Sequence, residues 1–171
     1  MPDALKIIVY PDPRLKKMSE PVTRFDANLR DLVVEMFNLM REAHGVGLAA
    51  PQVGTNVRLF VMNATGEAGD DHVFINPVLS NGDGQEEAEE GCLSLPDIRI
   101  KVIRDKRITI KAQDLEGQTF ERSAEGFIPR VWQHEFDHLN GIMLTDRMGP
   151  VAKMTHRKKL KELEDLYRKA R

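Results

Sequence analysis

The sequence contains one cysteine, no hydrophobic run of membrane-spanning length and almost no net charge. A single cysteine, Cys92, cannot form an intramolecular disulfide, so a disulfide-stabilised scaffold is excluded and a reducing compartment is expected. Because a membrane-length apolar run and a signal-peptide pattern are both missing, we expect neither a membrane protein nor a secreted one. A formal net charge of −2 gives no overall basis for binding nucleic acid.

The remaining composition is typical of one globular domain. The 171 residues are 41% hydrophobic and 30% charged, which is enough to bury a single core and too apolar for a disordered chain. We therefore expect one domain over residues 1–171. Its last part, about 153–171, carries eight basic and three acidic side chains, a net charge of +5, so the rest of the chain carries −7. This predicts a basic C-terminal helix on an acidic body.

Apolar periodicity predicts an α+β fold, with mostly antiparallel sheets packed around helices. Three- and four-residue steps over about 26–42 indicate an amphipathic helix in the first half of the chain. Period-two patterns with one apolar face indicate half-buried antiparallel strands in the middle. A second helix begins near Pro129 and ends near Asn140, and a third starts at about Met154. The strand candidates are 7–10, 57–62, 73–75, 98–102, 108–112 and 119–120, with a turn or loop at 81–84 and a tight hairpin turn at 115–117.

The second helix contains the pattern His-Glu-x-x-His at residues 134–138. Because His134 and His138 are four residues apart, their imidazoles project from the same helix face and can bind one divalent metal ion. Glu135 then lies beside the metal, where a carboxylate can take a proton from water. The alternative is a polar helix face that happens to carry two histidines.

A catalytic metal site needs a third protein ligand and an open position. The extended metalloprotease pattern is incomplete, since Leu144 stands where a third histidine would be. Glu162 or Glu164 is available, as in a zinc metallopeptidase, although both lie among lysines and suit exposed helical ion pairs. Cys92 is the other candidate, because it lies in a turn bounded by glycine and proline that can present a thiolate. A lone cysteine is otherwise a small buried hydrophobe.

Three sequence blocks together resemble the peptide deformylase family. They are Gly-Val-Gly-Leu-Ala-Ala-Pro-Gln-Val-Gly at 45–54, Glu-Gly-Cys-Leu-Ser at 90–94 and His-Glu-Phe-Asp-His-Leu at 134–139. The opening Tyr-Pro-Asp-Pro at 10–13 also resembles the family, so the similarity spans essentially the whole chain. Each block alone is a weak or moderate signal, whereas the three in this order and at these separations are highly specific.

The resemblance implies one metal-dependent catalytic domain and assigns its residues. The metal ligands would be Cys92, His134 and His138. Glu135 would be the general acid/base, and Gln52 and the backbone N–H of Leu93 would be oxyanion donors. Family members are commonly ferrous, so the resemblance implies one Fe2+ per chain in the cell, with Zn2+, Ni2+ or Co2+ also accepted.

The implied reaction is hydrolysis of the N-formyl group from the formyl-methionine that begins a new polypeptide. Water activated by the metal attacks the formyl carbon, Glu135 delivers a proton to the departing amine, and formate is released. Arg99 corresponds to a residue near the peptide backbone, with an exposed strand arginine as the alternative. Arg104 is expected either to pair with Glu90 behind the metal or to be a simple surface charge. The residues expected to contact substrate are Val46, Gly47, Gly91, Arg99, Phe127, Arg130 and Val131.

The expected partners are formyl-methionyl nascent peptides, with no membrane and no DNA. The basic C-terminal helix suggests transient contact with ribosomal RNA, against the alternative of a solvated helix packed by its leucines. A bacterial-type cytoplasm is expected because no transit peptide is evident, with an organelle enzyme whose transit peptide has been removed as the alternative. The competing functions are a zinc metallopeptidase and a catalytically silent ribosome-binding module. Outside the motifs, Trp132 is expected in the core, and His44, His72 and His156 on the surface or in loops.

Overall fold

The computed structural model describes residues 4–171, and its first long element is the helix α1, Ala27–Glu42. Asp26 caps this helix, because its carboxylate accepts the backbone N–H of Leu29 at 3.1 Å. The apolar side chains that recur at three- and four-residue steps are buried, among them Val33 and Met36. The predicted helix over about 26–42 is therefore confirmed.

Five antiparallel strands form one sheet, in the order β1-β2-β3-β4-β5. They are β1 (Gly47–Ala49), β2 (Leu59–Met62), β3 (His72–Cys92), β4 (Leu95–Gln113) and β5 (Thr119–Glu125). The strand candidates 98–102 and 108–112 belong to the single long strand β4, which makes a hairpin with β3. Residues 93–94 form the turn of this hairpin, so it brings Cys92 to one end of the sheet.

The segment 81–84, predicted as a turn, lies inside β3, and that prediction is wrong. Pairing with β4 shifts register between Ser80 and Asp83. Asn81 and Gly84 take positive φ values of 54° and 68°. The polar, glycine-containing segment therefore makes a bulge, which bends the strand without ending it.

The segment 7–10, predicted as a strand, is irregular. Ile8 donates its backbone N–H to the Gln52 carbonyl, and Tyr10 donates to the Ser94 carbonyl, each at 2.8 Å. These acceptors lie in different parts of the chain, one after β1 and one in the hairpin turn, so no ladder of strand pairing forms. The segment instead ties these two regions together.

The helix that carries the His-Glu-x-x-His pattern is α2 (Phe127–Leu139), which begins slightly before the predicted Pro129. The predicted C-terminal helix is divided into α3 (Pro150–Thr155) and α4 (Arg157–Lys169), with His156 between them. None of the helices within residues 4–171 has the length and hydrophobicity needed to cross a membrane.

Three apolar clusters hold helices against the antiparallel sheet, which confirms the α+β fold. The first lies between α1 and the strands β1 and β2. The second lies under α2, where the ring centroid of Trp132 is 5.9 Å from that of Phe74 and the side chain is buried, as expected. The third joins the β3–β4 hairpin to the C-terminal region, through side chains such as Ile98 and Leu163. The sheet thereby holds α2 beside the end of the hairpin.

Candidate metal centre

Three metal-binding side chains meet between α2 and the turn of the hairpin. His134 and His138 lie one helical turn apart, with ring centroids separated by 5.2 Å. Cys92, the last residue of β3, has its Sγ 3.3 Å from His138 Nε2. One ligand atom from each of the three residues lies within 4.8 Å of the others. The fold therefore brings together the three residues predicted as ligands, from two distant parts of the sequence.

The alternative third ligands lie elsewhere in the molecule. Glu162 and Glu164 are on α4, where one lies near a lysine of the same helix and the other accepts a hydrogen bond from a tyrosine hydroxyl. Leu144 is buried in the third apolar cluster. In the part of the chain that the structure describes, the two histidines share a ligand group with Cys92 and with no carboxylate. The geometry favours the cysteine over the metallopeptidase arrangement.

The buried carboxylate of Glu90 sets the orientation of His134. Its Oε1 lies 2.9 Å from His134 Nδ1, so the other ring nitrogen, Nε2, is the one available to a metal. Burial alone would raise the pKa of Glu90, but hydrogen bonds from Arg104 and His134 hold that pKa well below its usual range. A carboxylate in this position is the common partner of a metal-binding histidine. A thiolate and two imidazoles, one of them fixed in this way, fit a divalent metal ion.

Glu90 belongs to a chain of ion pairs behind the ligands, which is buried except at the exposed Arg147. Arg104 donates two hydrogen bonds to Glu90, at 2.8 and 2.9 Å, which confirms the expected pair, and a third to Asp137 at 2.7 Å. Arg147 donates two more to Asp137, at 2.6 and 2.7 Å. Arg130 also donates to Glu90, at 2.6 Å. Sequence reasoning misses Asp137, although it stands inside the motif, and no sequence signal marks Arg147.

Glu135 is buried beside the ligands with one carboxylate oxygen unpaired. The residue is 4% exposed, and its Oε1 has no hydrogen-bond partner within residues 4–171. Burial, above all, raises the pKa of Glu135 to about 7. A carboxyl group with a pKa near neutrality is suited both to accepting and to releasing a proton. A β-carbon on Gly47 would lie 2.7 Å from Glu135 Oε2, so glycine is what leaves room for this carboxylate.

The side-chain amide of Gln52 is held at both ends. Its Oε1 accepts the Ala49 N–H at 2.9 Å, and its Nε2 donates to Ser94 Oγ at 3.1 Å and lies 3.6 Å from Cys92 Sγ. The N–H of Leu93, in the hairpin turn, donates to no protein acceptor within residues 4–171. Sequence reasoning misses Ser94, which is fully buried and orients the amide, although it ends the Glu-Gly-Cys-Leu-Ser block.

A cavity of about 550 Å³ opens beside the ligand cluster. Cys92, His134 and Glu135 form part of its wall, together with Gln52 and Leu93. His44, which was expected on the surface, is exposed and also lines this cavity. All the residues expected to contact substrate line this cavity as well: Val46, Gly47, Gly91, Arg99, Phe127, Arg130 and Val131.

Similarity to known proteins extends over most of the chain. The family model described as Polypeptide deformylase matches residues 4–154. A peptide deformylase from Thermotoga maritima is 46% identical over 160 residues, which cover 92% of this chain and 95% of that protein. A chloroplastic peptide deformylase 1B from Solanum lycopersicum is 46% identical over 166 residues, which cover 95% of this chain and 60% of that protein. A solved structure of peptide deformylase from Plasmodium falciparum superposes with a TM-score of 0.92 at 41% identity, covering 95% of this chain and 97% of that one. The chain therefore belongs to the polypeptide deformylase family.

Proposed function

We propose that this chain hydrolyses the N-formyl group of formyl-methionyl nascent peptides and releases formate. The observation that carries this proposal is the buried carboxyl group of Glu135 beside a cluster of one cysteine and two histidines, in the wall of a cavity of about 550 Å³. A divalent metal bound to Cys92, His134 and His138 would supply a Lewis acid and lower the pKa of water towards neutrality.

Glu135 accepts and then donates the proton that is transferred in the reaction. As a carboxylate it takes one proton from the attacking water, whose oxygen forms a bond to the formyl carbon. It then gives that proton to the amine nitrogen as the carbon–nitrogen bond breaks, so water and a formamide become a free amine and formic acid, which loses its proton to give formate. Its burial, which disfavours the charged form and raises its pKa, supports its ability to hold a proton as well as to release one.

Two donors of this chain are assigned to the formyl oxygen, on which negative charge develops during the attack. They are the Nε2 of Gln52 and the backbone N–H of Leu93. The bond from the Ala49 N–H to Gln52 Oε1 supports this role, because it fixes which end of the amide is the donor. Removing one such donor typically costs about 10²–10³ in rate.

The peptide substrate is assigned to the walls of the cavity. Arg99 lines the cavity, where its exposed side chain pairs with Glu89 at 2.7 Å, and this position supports contact with the peptide backbone beyond the methionine. Phe127 is 54% exposed at the cavity, and an exposed aromatic ring there supports apolar contact with a substrate side chain. The full assignment is Val46, Gly47, Gly91 and Arg99 for the peptide backbone, and Phe127, Arg130 and Val131 for the methionine side chain.

Fe2+ is the metal proposed for the enzyme in the cell, and Zn2+, Ni2+ or Co2+ for purified samples. Resemblance to a commonly ferrous family supports iron, and the ligand set supports the others, because a thiolate with two imidazoles binds several divalent metals. Elemental analysis of protein purified without oxygen tests the choice. Iron at about one atom per chain is expected, and zinc at that level would contradict it.

Formate release from the peptide formyl-Met-Ala-Ser tests the activity. Protein loaded with Fe2+ or Co2+ in the absence of oxygen is expected to release formate and a free amine in equal amounts. The same protein after treatment with a chelator is the control and is expected to release none. Bound metal without formate release would contradict the proposed reaction.

Transient contact between α4 and ribosomal RNA is a further part of the proposal. The exposed basic residues of α4, such as Lys158 and Lys161, support it, as does the substrate, which emerges from a ribosome. We therefore expect the enzyme to act where formylated chains are made, in a bacterial-type cytoplasm or inside an organelle. A variant with Lys158→Glu and Lys161→Glu is expected to sediment less with ribosomes at low salt while releasing formate normally. Equal sedimentation of the two proteins would contradict the contact.

A further inference from the structure

Arg130 is a buried arginine whose charged end is bound to the protein. It lies in the first turns of α2, about one turn before His134, and its side chain is 8% exposed. The guanidinium donates to Glu90 Oε2 at 2.6 Å, to the Val102 carbonyl at 2.9 Å and to the Glu86 carbonyl at 2.6 Å. Because these acceptors lie on β3 and β4, this one side chain ties α2 to both strands of the hairpin.

Glu90 connects Arg130 to the ligand cluster. Its Oε2 accepts hydrogen bonds from Arg130 and Arg104, and its Oε1 accepts one from Arg104 and lies 2.9 Å from His134 Nδ1. A carboxylate held at both oxygens cannot turn away from the imidazole without breaking a buried, charge-assisted hydrogen bond. The orientation of the ligand histidine therefore depends on how firmly Glu90 is held.

We propose that Arg130 is a positioning residue of the metal centre, which holds Glu90 against His134 and thereby fixes the ligand imidazole. This inference rests on the proposed metal-dependent function. Arg130 lines the cavity, but its guanidinium is occupied by Glu90 and two backbone carbonyls. Loss of a group that orients a metal-binding histidine typically weakens metal binding or activity by about 10–100-fold.

Zinc release from the zinc-loaded protein to an excess of a chromophoric chelator measures this role. Arg130→Met keeps the apolar stem but removes all three hydrogen bonds, and we expect it to release zinc about 10–100-fold faster than the unmodified protein. Arg130→Lys keeps the charge but has a single ammonium in place of the planar guanidinium, so its release rate should fall between the two. The matched control is Arg107→Met, since Arg107 is a strand arginine paired with exposed carboxylates, and its release rate should be unchanged.

Two further measurements separate positioning from a merely structural role. The absorption bands of the Co2+-loaded protein report the geometry around the metal, and they should shift in Arg130→Met, return partly in Arg130→Lys and stay unchanged in Arg107→Met. In a Glu90→Gln background, Arg130→Met should accelerate zinc release little further, because its route to His134 runs through Glu90. This double variant also removes both buried charges together, which keeps the test available if Arg130→Met alone is unstable.

Zinc release at the unmodified rate in Arg130→Met, or acceleration of the same size in the Glu90→Gln background, would overturn the inference. So would a raised KM for formyl-Met-Ala-Ser with unchanged zinc release, which would assign Arg130 to contact with methionine alone. The unmodified protein separates this inference from the proposed function. If it retains zinc but no metal form releases formate, the hydrolytic function fails while the zinc comparison still stands, and if it retains no metal, both are overturned.

Discussion

Helices α2 and α4 have the same length, 13 residues, but α2 is largely buried and α4 is largely exposed. α2 buries eight residues, and four of them are the polar side chains Arg130, Glu135, Asp137 and His138, whereas α4 buries only Leu163. The buried charges of α2 cost free energy unless partners compensate them, while the charges of α4 stay in water and interact weakly. Buried polar groups therefore distinguish the helix that carries the proposed chemistry from the helix that is only charged.

The largest difference between the two helices is expected in the effect of replacing a glutamate on kcat. Glu135→Ala on α2 should lower kcat for formate release by about 10²–10⁴, because it removes the group that transfers the proton. Its metal content should stay near that of the unmodified protein, since Glu135 is not a ligand. Glu162→Ala on α4 is the control and should leave kcat unchanged. Near-normal turnover in Glu135→Ala would remove this residue from the mechanism.

Replacing a buried arginine should lower the free energy of unfolding more than replacing an exposed arginine of α4. The side chain of Arg104 is 3% exposed and bonds to Glu90 and Asp137, so Arg104→Met should lower the free energy of unfolding by about 3–5 kcal/mol. The side chain of Arg168 is 71% exposed and pairs with Asp165 on α4, so Arg168→Met should cost less than about 0.5 kcal/mol. Urea unfolding measures both values, and equal losses would show that burial does not separate the two regions.

Filling the space beside Glu135 should lower kcat less than removing its carboxyl group does. In Gly47→Ala the new β-carbon would lie 2.7 Å from Glu135 Oε2 and 3.1 Å from its Cγ, so the carboxylate must move. Misplacing a reacting group by about 1 Å can cost about 10²-fold in rate, and we expect kcat to fall by up to that factor. Gly149→Ala, just before α3, meets no atom within 4 Å and should have no effect. An unchanged kcat in both variants would contradict the close packing of Gly47 on Glu135.

A small loss of stability is expected where α4 meets the amino-terminal segment. The Tyr10 hydroxyl donates to Glu164 at 2.7 Å, and this pair is partly exposed, so Tyr10→Phe should lower the free energy of unfolding by about 0.5–1 kcal/mol. Burial, first of all, raises the pKa of Tyr10 from its ordinary value of 10.0 to about 12. Because folding raises this pKa, the contribution should be complete below about pH 10 and lost as the pH rises towards about 12. Urea unfolding of both proteins at about pH 8 and about pH 11 measures it, and a difference that does not shrink at the higher pH would contradict this linkage.

Elements with one buried face could be predicted from the sequence, and elements that depend on distant pairing could not. The helix α1 and the apolar alternation within β4 follow from local periodicity. The bulge at 81–84 could not be told from a turn, because asparagine and glycine suit positive φ in both. The segment 7–10 has the composition of a strand, but a strand also needs a neighbouring ladder, which its local sequence does not encode.

The candidate ligands divide in the same way. His134 and His138 could be predicted from spacing, because a helix brings residues four positions apart onto one face. Cys92 could be chosen over the glutamates of α4 only through family resemblance, since its contact with the helix depends on the whole hairpin. Arg147 stands in none of the sequence blocks, and Ser94 ends one of them, but their contacts with Asp137 and Gln52 are tertiary and could not be predicted from a local pattern.

The metal content of Cys92→Ser tests most directly whether the hairpin turn completes the metal centre on α2. After dialysis against a weak chelator, the unmodified protein and Glu162→Ala should each retain about one metal ion per chain. Cys92→Ser should lose it, because a serine hydroxyl stays protonated near neutral pH and does not replace a thiolate ligand. Retention of the metal by Cys92→Ser together with its loss from Glu162→Ala would contradict the assignment and move the third ligand to α4.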